Sequence, residues 1–385
     1  MTTPDDLHLA TLLSAAFGDA GGTVTPPIYQ TSLYTFDTYQ AFEDRLNGRT
    51  SDPLYSRIQN PTVSAFESVM AKAERGEAAV GFASGMAAIS STLLAFLKPG
   101  DRIAVTEHVY SDAYRLFEQL LRPFGIDITY HAVSALENDP SLLKGVKIAY
   151  LETANSLMLQ PANLPKIAAN AKAHGTITIT DNSWASPVFQ QPLTHGIDIV
   201  LHSASKYISG HSDTVAGVVV ASDALIGTIR QLTLPLLGAK LAPFEAWLLV
   251  RGLRTLDARM RQHQATAELF IDRLATRPEV IRLHSPGANS VPGLAGRSGL
   301  LSIELAENVD IPRLADALKL FRLGVSWGGF ESLILPIRAG LGRAGDDNAA
   351  WRFDVPHNLV RLSLGLENAD DLWTDFEAAL NAGKA

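Results

Sequence analysis

Between about Gly76 and Asp223 the sequence alternates short β-branched runs with helical stretches. The runs are AAVGFA, DRIAVTE, KIAYLET, TITITDNSW, IDIVLHSAS and GVVVAS. An intervening segment such as LPKIAANAKAHG has apolar residues at helical spacing and a glycine where the helix should end. Because strands that alternate with helices usually pair in parallel, the pattern predicts an α/β domain on a mostly parallel sheet.

Two further regions flank this domain. Before it, the proline-rich stretches TVTPPIYQTS and SRIQNPT predict an extended arm. After about Phe244, a long helical stretch precedes short strands such as SGLLSIEL and a helix-rich end, which predicts a smaller α+β domain. We therefore divide the chain into an arm with a helix (1–59), an α/β domain (60–243) and a C-terminal α+β domain (244–385).

Composition excludes several functional classes. The chain has 385 residues, 46% hydrophobic, and no run approaches the roughly 18 apolar residues that cross a membrane. It has no cysteine, which excludes disulfides, thiolate metal sites and a cysteine nucleophile. A net charge of −8 with dispersed Lys and Arg leaves no basic patch for nucleic acid. The acidic residues in MTTPDDLHLATLLSAAFGDA argue against a secretory signal, so we expect a cytoplasmic protein.

Polar residues follow several of the predicted strands. Lys206 follows IDIVL, and Asp181 follows TITIT. Glu152 follows KIAYL, and Ser84 with Gly85 follows AAVGFA. In an open parallel sheet, ligands bind beyond the carboxyl ends of the strands. We therefore expect these residues to meet in one crevice.

The segment GFASGMAA predicts a strand, a tight turn and the start of a helix. The free backbone N–H groups of Gly85 and Met86, with the positive end of the helix dipole, would face an anion such as phosphate. Ser203 and Ser205 would add hydroxyl donors if their loop curls back toward this turn. The alternative is that Ser84 and Gly85 only cap a helix.

Lys206, in HSASKYISGHSD, is the candidate nucleophile. A lysine in a partly desolvated pocket has a lowered pKa and can form a Schiff base with an aldehyde. The alternative is a solvated surface lysine, which is the common situation but fits poorly just after a buried strand. Asp181 can hold the proton on a pyridine nitrogen and so make that ring an electron sink; its alternative is a turn or helix cap in TDNS.

A phosphate-binding turn, a strand-end aspartate and a Schiff-base lysine together describe a site for pyridoxal 5'-phosphate (PLP). The chain resembles the Cys/Met-metabolism family of PLP-dependent enzymes, which includes cystathionine β-lyase, cystathionine γ-lyase, cystathionine γ-synthase and methionine γ-lyase. The matching motifs span nearly the full chain: TPPIYQTS, YSRIQNPT, ASGMAA, DNSW, SASKYISGHSD, RGLRTL, SWGGFESL and VRLSLGLE. The resemblance implies the PLP-dependent transferase fold of type I, like that of aspartate aminotransferase, with a mostly parallel seven-stranded sheet and a smaller C-terminal α+β domain.

The resemblance also implies how PLP is held. Lys206 would bind the cofactor covalently and move protons, Asp181 would pair with the pyridine nitrogen, and Tyr110 of EHVYSDAY would stack on the ring as a second catalytic residue. The phosphate would be held by Gly85, Met86, Ser203, Ser205, Tyr55 and Arg57. Tyr55 and Arg57 would reach over from a neighbouring subunit, so the resemblance implies an obligatory homo-oligomer, expected to be a homotetramer built from active dimers. Considered alone, Tyr110 could be a core aromatic and Arg57 a surface charge.

The substrate implied by the resemblance is a small amino-acid thioether. Arg361 of LVRLSLG would clamp its α-carboxylate, because the planar guanidinium can bind a carboxylate through two hydrogen bonds; the alternative for Arg361 is an ion pair at a strand edge. The other substrate residues implied are Ser326, Trp327, Ser156 and Tyr55.

The expected reaction is α,β-elimination of L-cystathionine to homocysteine, pyruvate and ammonia. Trp327 in SWGGFESL and Ser156 in ETANSL resemble the β-lyases, whereas many γ-enzymes carry other residues there. Cystathionine γ-lyase, γ-synthase or methionine γ-lyase activity, or a broad cysteine-S-conjugate β-lyase, stay open as alternatives. Ala154 stands where a proline is usual, and Ile58 where some bacterial β-lyases have a second arginine, which leaves the preferred thioether open.

Other enzyme classes fit the sequence less well. A serine hydrolase needs a G-x-S-x-G elbow, whereas GFASG has the serine one position later. His202 and His211 lie nine positions apart without an H-E-x-x-H motif, so we interpret them as packing or hydrogen-bonding residues and expect no metal. A protein that only binds the cofactor would not need Lys206 and Arg361 together.

Overall fold

A computed structural model describes residues 7–15, 22–341 and 348–384. The acidic residues on which the cytoplasmic expectation rests, Asp5, Asp6 and Asp19, lie outside the described residues. That expectation therefore stays a prediction. None of the described helices combines the length and the apolar character that crossing a membrane requires.

A seven-stranded sheet occupies the first two thirds of the chain. Its strands are β1 (Ala78–Phe82), β2 (Arg102–Thr106), β3 (Asp127–His131), β4 (Ile148–Glu152), β5 (Ile177–Asp181), β6 (Ile199–Ser203) and β7 (Gly217–Ala221). They follow the order β1-β7-β6-β5-β4-β2-β3. Only β7 is antiparallel to its neighbours. The mostly parallel sheet predicted from the sequence is confirmed.

Helices of the same part of the chain accompany this sheet, and those that pack on its two faces bury β4 and β7 along their whole length. They are α1 (Leu9–Ala15), α2 (Tyr39–Leu46), α3 (Pro61–Ala73), α4 (Gly85–Phe96), α5 (Ser111–Arg115), α6 (Val133–Asn138), α7 (Leu164–Ala173), α8 (Ser186–Phe189), α9 (Asp223–Gln231), α10 (Thr233–Leu237) and α11 (Pro243–Leu253). A π-helical turn, Leu116–Leu121, continues α5, and 3₁₀ turns span Pro140–Leu143 and Pro192–His195.

A five-stranded sheet forms the core of the C-terminal part. Its strands are β8 (Val280–His284), β9 (Leu300–Leu305), β10 (Arg322–Leu323), β11 (Leu333–Pro336) and β12 (Leu359–Ser363), in the order β10-β11-β12-β9-β8. The accompanying helices are α12 (Leu256–Leu274), α13 (Ile311–Ala317), α14 (Arg338–Leu341), α15 (Ala349–Arg352) and α16 (Ala369–Ala382). Apolar residues of α12, α13 and α16 pack on the sheet. This part has the predicted α+β character, while the boundaries at 59/60 and 243/244 stay predictions.

The arm is extended, as its prolines suggest. Between residues 22 and 38 it has no helix, and a single bridge pairs Leu33 with Tyr55. Several of its apolar side chains lie open to solvent within one chain, among them Val24, which is 82% exposed, and Tyr39, which is 80% exposed.

Candidate active site

The carboxyl ends of β1, β4, β5 and β6 lie at one edge of the large sheet. Glu152 at the end of β4 pairs in register with Asp181 at the end of β5, and β6 follows β5 in parallel. Gly217 of β7 pairs with Phe82 on one side and with Ser203 on the other, so the turn after β1 meets the end of β6. The strand ends therefore meet as the sequence predicts.

The turn after β1 offers hydrogen-bond donors to a ligand. Ser84 caps α4 by accepting the N–H of Ala87 at 3.0 Å. The preceding N–H groups, those of Gly85 and Met86, have no acceptor within the helix. A Cβ atom at position 85 would lie 2.9 Å from both Cβ and Oγ of Ser203, so glycine permits this close approach. Free N–H groups at the positive end of a helix dipole suit an anion.

The two serines after β6 differ in their hydrogen bonds. Ser203 donates its N–H to Ser183 Oγ at 2.7 Å, and its hydroxyl makes no hydrogen bond to the described residues. Ser205 Oγ donates to the carbonyl oxygen of Ala216 at 3.2 Å and accepts the N–H of Ala216 at 2.9 Å. Ser203 is therefore ready to donate to an anion, whereas Ser205 would first have to turn its proton away from Ala216.

Lys206 is held by two residues of the C-terminal part. Its Nζ donates to Ser326 Oγ at 2.7 Å and lies 5.3 Å from the ring centre of Trp327. Burial, and then the charge of Arg361, lower the pKa of Lys206 to about 8, against the opposing effect of Asp181. More of this amine is therefore uncharged near neutral pH than of an ordinary lysine, and the alternative of a solvated surface lysine does not apply.

The loop that carries Ser326 and Trp327 packs directly on the backbone of Lys206. Gly328 has a φ of +86°, and a Cβ atom there would lie 2.8 Å from the N atom of Tyr207 and 3.0 Å from the carbonyl carbon of Lys206. The ring centres of Trp327 and Tyr207 are 5.4 Å apart. Glycine at position 328 is thus what lets the loop approach the lysine.

Asp181 lies at the end of β5, close to the charge of Lys206. Its Oδ1 accepts the N–H of Ser183 at 2.9 Å. Burial raises the pKa of Asp181, while hydrogen bonds from the backbone and side chain of Ser183 and the charge of Lys206 act against this rise. The turn proposed as the alternative role of Asp181 therefore exists at Ser183.

The two histidines near Lys206 are hydrogen-bonding residues, as interpreted from the sequence. His202 Nε2 lies 2.6 Å from Glu74 Oε1, and both side chains are buried. His211 Nδ1 lies 2.6 Å from the carbonyl oxygen of Ser209.

Arg361, on β12, is a buried cation whose partners are backbone carbonyls. Its Nη1 donates to the Ser156 carbonyl oxygen at 3.2 Å and its Nη2 to that of Val325 at 2.7 Å. It forms no ion pair with any carboxylate of the described residues, so the ion-pair alternative does not apply. Burial lowers the pKa of Arg361 to about 10. A ligand carboxylate would complete the charge balance of this guanidinium.

Glu152, at the end of β4, hydrogen-bonds to both Tyr110 and Ser156. Its position in the sequence did not predict this role. It is 5% exposed, and it accepts the N–H of Tyr110 at 2.6 Å and the hydroxyl of Ser156 at 2.5 Å. Burial, and then the charge of Asp181, raise the pKa of Glu152. The Tyr110 side chain is 40% exposed, so it is not a core aromatic, and its hydroxyl donates to Asp112. The sequence reasoning missed Asp112, whose only signal is its position two residues after Tyr110.

Tyr55 and Arg57 lie apart from the Lys206 group within a single chain. The Arg57 guanidinium carbon is 5.3 Å from the Tyr55 ring centre, and neither side chain hydrogen-bonds to a residue of the crevice. Tyr55 is 43% exposed and the neighbouring Ile58 37% exposed, whereas Ala154 is buried. One chain alone does not bring the two arm residues into the site.

The crevice fits each part of PLP with a different group. The start of α4 and Ser203 suit the phosphate, the low-pKa amine of Lys206 suits the aldehyde, and the carboxylate of Asp181 suits the pyridine nitrogen.

Comparisons with known proteins agree with this fit. Residues 13–381 match the model of the family described as Cys/Met metabolism PLP-dependent enzyme. An L-methionine gamma-lyase from Pseudomonas putida is 35% identical over 374 residues, covering 94% of each chain. A cystathionine beta-lyase from Lactococcus lactis subsp. cremoris is 35% identical over 368 residues, covering 93% of this chain and 94% of that one.

A solved structure extends the comparison to three dimensions. The putative O-acetylhomoserine (thiol)-lyase from Campylobacter jejuni superimposes with a TM-score of 0.90 at 28% identity, covering 97% of this chain and 100% of that one. That structure contains N'-pyridoxyl-lysine-5'-monophosphate at its position 205. The expected type I fold is confirmed. The chain therefore belongs to the Cys/Met metabolism family of PLP-dependent enzymes, and its cofactor is pyridoxal 5'-phosphate.

Proposed function

We propose that this protein is a carbon–sulfur lyase that converts L-cystathionine and water to homocysteine, pyruvate and ammonia by α,β-elimination. The observation that supports this reaction most is the position of Lys206 Nζ, held between Ser326 Oγ and the face of the Trp327 ring. An amine held in this way can accept the Cα proton, and this is the one proton removal that α,β-elimination requires.

When bound, PLP supplies an electron sink that stabilises negative charge at the substrate Cα. In the proposed site, Lys206 would hold the cofactor through Nζ, Asp181 would pair with the pyridine nitrogen and Tyr110 would stack on the ring. Gly85, Met86, Ser203 and, after rotation of its hydroxyl, Ser205 would bind the phosphate.

Arg361 binds the substrate α-carboxylate in this proposal. Its support is the buried guanidinium that has only carbonyl partners among the described residues. The Ser156 and Val325 carbonyl oxygens hold the guanidinium in place. The Arg361 guanidinium would therefore bind the substrate carboxylate in one fixed orientation. Ser156, Ser326 and Trp327 line the space beside it, with Tyr55 contributed by a neighbouring subunit.

Lys206 Nζ removes the Cα proton of the oriented substrate. Its lowered pKa supports this role, because a free amine is needed to accept a proton. α,β-Elimination requires one proton removal, at Cα, and the thiolate then leaves from Cβ. γ-Elimination requires a second removal at Cβ, and this proposal does not assign a residue to that step.

γ-Elimination is the second candidate, supported by the similarity to the L-methionine gamma-lyase from Pseudomonas putida. Incubation of the PLP-loaded protein with L-cystathionine and identification of both products separates the two reactions. Pyruvate with homocysteine supports β-elimination. 2-Oxobutyrate with cysteine would show that the γ-reaction is the correct assignment.

The proposal includes a homotetramer built from dimers in which Tyr55 and Arg57 of each subunit complete the phosphate site of the other. The exposed apolar side chains of the arm support this assembly. Leu236 and Leu237 of α10, which are 74% and 53% exposed, support it as well. Contact with a second copy would bury these side chains.

A further inference from the structure

Tyr110 is fixed at its main chain before any ligand binds. Its N–H donates to Oε2 of the buried Glu152 at 2.6 Å. Glu152 is itself held by the Ser156 hydroxyl, 2.5 Å from its Oε1. Tyr110 cannot shift at its Cα without breaking a hydrogen bond to a buried carboxyl group, so its side chain leaves the backbone from a fixed point.

The Tyr110 hydroxyl is fixed as well, by Asp112. Tyr110 Oη lies 2.9 Å from Asp112 Oδ2. Asp112 Oδ1 accepts from Arg115 Nη1 at 3.2 Å, which orients the carboxylate. In this contact the phenolic O–H donates and the Asp112 carboxylate accepts. Because the phenol has a single proton, its oxygen lone pairs remain for a different partner.

Burial and the neighbouring carboxylates keep the Tyr110 phenol neutral. Burial, the hydrogen bond and charge of Asp112, and then the charge of Glu152 raise the pKa of Tyr110 to about 12, whereas Arg361 acts in the opposite direction. Arg361 is thus close enough to influence the phenol. An amino acid whose carboxylate binds Arg361 has its ammonium group on the adjacent carbon, and that group needs a hydrogen-bond acceptor.

We propose that Asp112 is a positioning residue for Tyr110: by accepting a hydrogen bond from the phenolic O–H, it presents the Tyr110 oxygen as the hydrogen-bond acceptor for the α-ammonium group of the incoming amino acid. The inference rests on the proposed function to the extent that the ligand is an α-amino acid. It assigns to Tyr110 a role in substrate capture, and to Asp112 a role that acts only through Tyr110.

A double-mutant cycle on the PLP-loaded enzyme tests this coupling. Asp112→Ala should raise KM for L-cystathionine about fivefold, the loss expected for one hydrogen bond, with kcat within about twofold. In the Tyr110→Phe background the same substitution should change KM by less than about twofold, because the acceptor is already absent. An equal rise of KM in both backgrounds would overturn the proposal.

A spectroscopic measurement tests the contact without relying on turnover. Absorbance at 295 nm, taken as the difference between each protein and its Tyr110→Phe counterpart, reports ionisation of this one phenol. In the wild type it should stay neutral beyond the ordinary tyrosine pKa of about 10, and in Asp112→Ala it should ionise at lower pH. Coinciding titration curves would also overturn the proposal.

Asp127→Asn is the matched control, because Asp127 forms a comparable exposed pair with Arg102 at 2.8 Å on the far strands of the sheet. It should change neither KM nor the phenol titration. If the wild type carries PLP but does not cleave cystathionine, the proposed function fails, and the titration still decides whether Asp112 controls Tyr110.

Discussion

Lys206 Nζ and Ser326 Oγ lie 2.7 Å apart, although 120 positions separate the two residues in the chain. The contact joins the turn after β6 in the large sheet to the loop before β11 in the small one. The catalytic amine of the proposal is therefore held by the C-terminal part, and a change in that loop should alter the chemistry at Lys206.

The lowered pKa of Lys206 predicts a pH-dependent stability of the PLP-free protein. The folded protein binds this proton with a pKa of about 8, below the ordinary lysine pKa of 10.5 that applies to the unfolded chain. Below about pH 8 Lys206 is charged in both states, and the burial of this charge lowers the free energy of unfolding by its full amount. This destabilisation disappears as the pH rises toward 10.5. Lys206→Met should raise the melting temperature at pH 7, by an amount that shrinks toward pH 10.

Thermal melts of the PLP-free proteins check this prediction, with Lys172→Met on the exposed side of α7 as the control. A stabilisation that stays constant from pH 7 to pH 10 would contradict the lowered pKa.

Arg361→Lys should lower kcat/KM for L-cystathionine by about 100-fold, even though the positive charge is retained. Lysine has no planar fork and cannot bind a carboxylate through two parallel hydrogen bonds. Steady-state kinetics measure the effect, and Arg102→Lys, in an exposed ion pair, is the control. Wild-type kinetics for Arg361→Lys would exclude Arg361 as the carboxylate clamp.

Gly85→Ala should weaken PLP binding about tenfold or more. The added Cβ would lie 2.9 Å from Ser203 and would push the end of β6 away from the start of α4. Retention of bound PLP during dialysis, followed by its visible absorbance, measures the loss. Gly227→Ala in α9 is the matched control, because its Cβ would meet nothing within 4 Å. Equal retention by both variants would argue against the turn as the phosphate site.

Arg57→Ala and Lys206→Ala should complement each other if the site is shared between subunits. Each variant alone should be nearly inactive. After mixed refolding or co-expression, half of the dimers would contain both chains, and one of the two sites in each would be intact, giving about a quarter of wild-type activity. No recovery, despite mixed dimers being present, would mean that Arg57 acts within its own chain or not at all.

The sequence predicted those parts of the site that depend on local patterns. Asp181 and Lys206 follow β-branched runs that form parallel strands. Because parallel strands end at the same edge of a sheet, the residues that follow them lie at that edge. The contact of Lys206 with Ser326 depends on how the loop before β11 packs on the turn after β6, which no local pattern encodes. The bonds of Ser205 to Ala216 and of Tyr110 to Asp112 depend on rotamers, and residue types alone do not determine these.

The central claim is that Lys206 binds the cofactor covalently. Borohydride reduction of the purified, PLP-loaded protein, followed by peptide mass spectrometry, tests it directly, with Lys206→Ala as the control. The predicted result is a phosphopyridoxyl mass on the peptide that contains Lys206, and no such label in the variant. A wild-type protein that carries no label after reduction, or carries it on a different lysine, would contradict the claim.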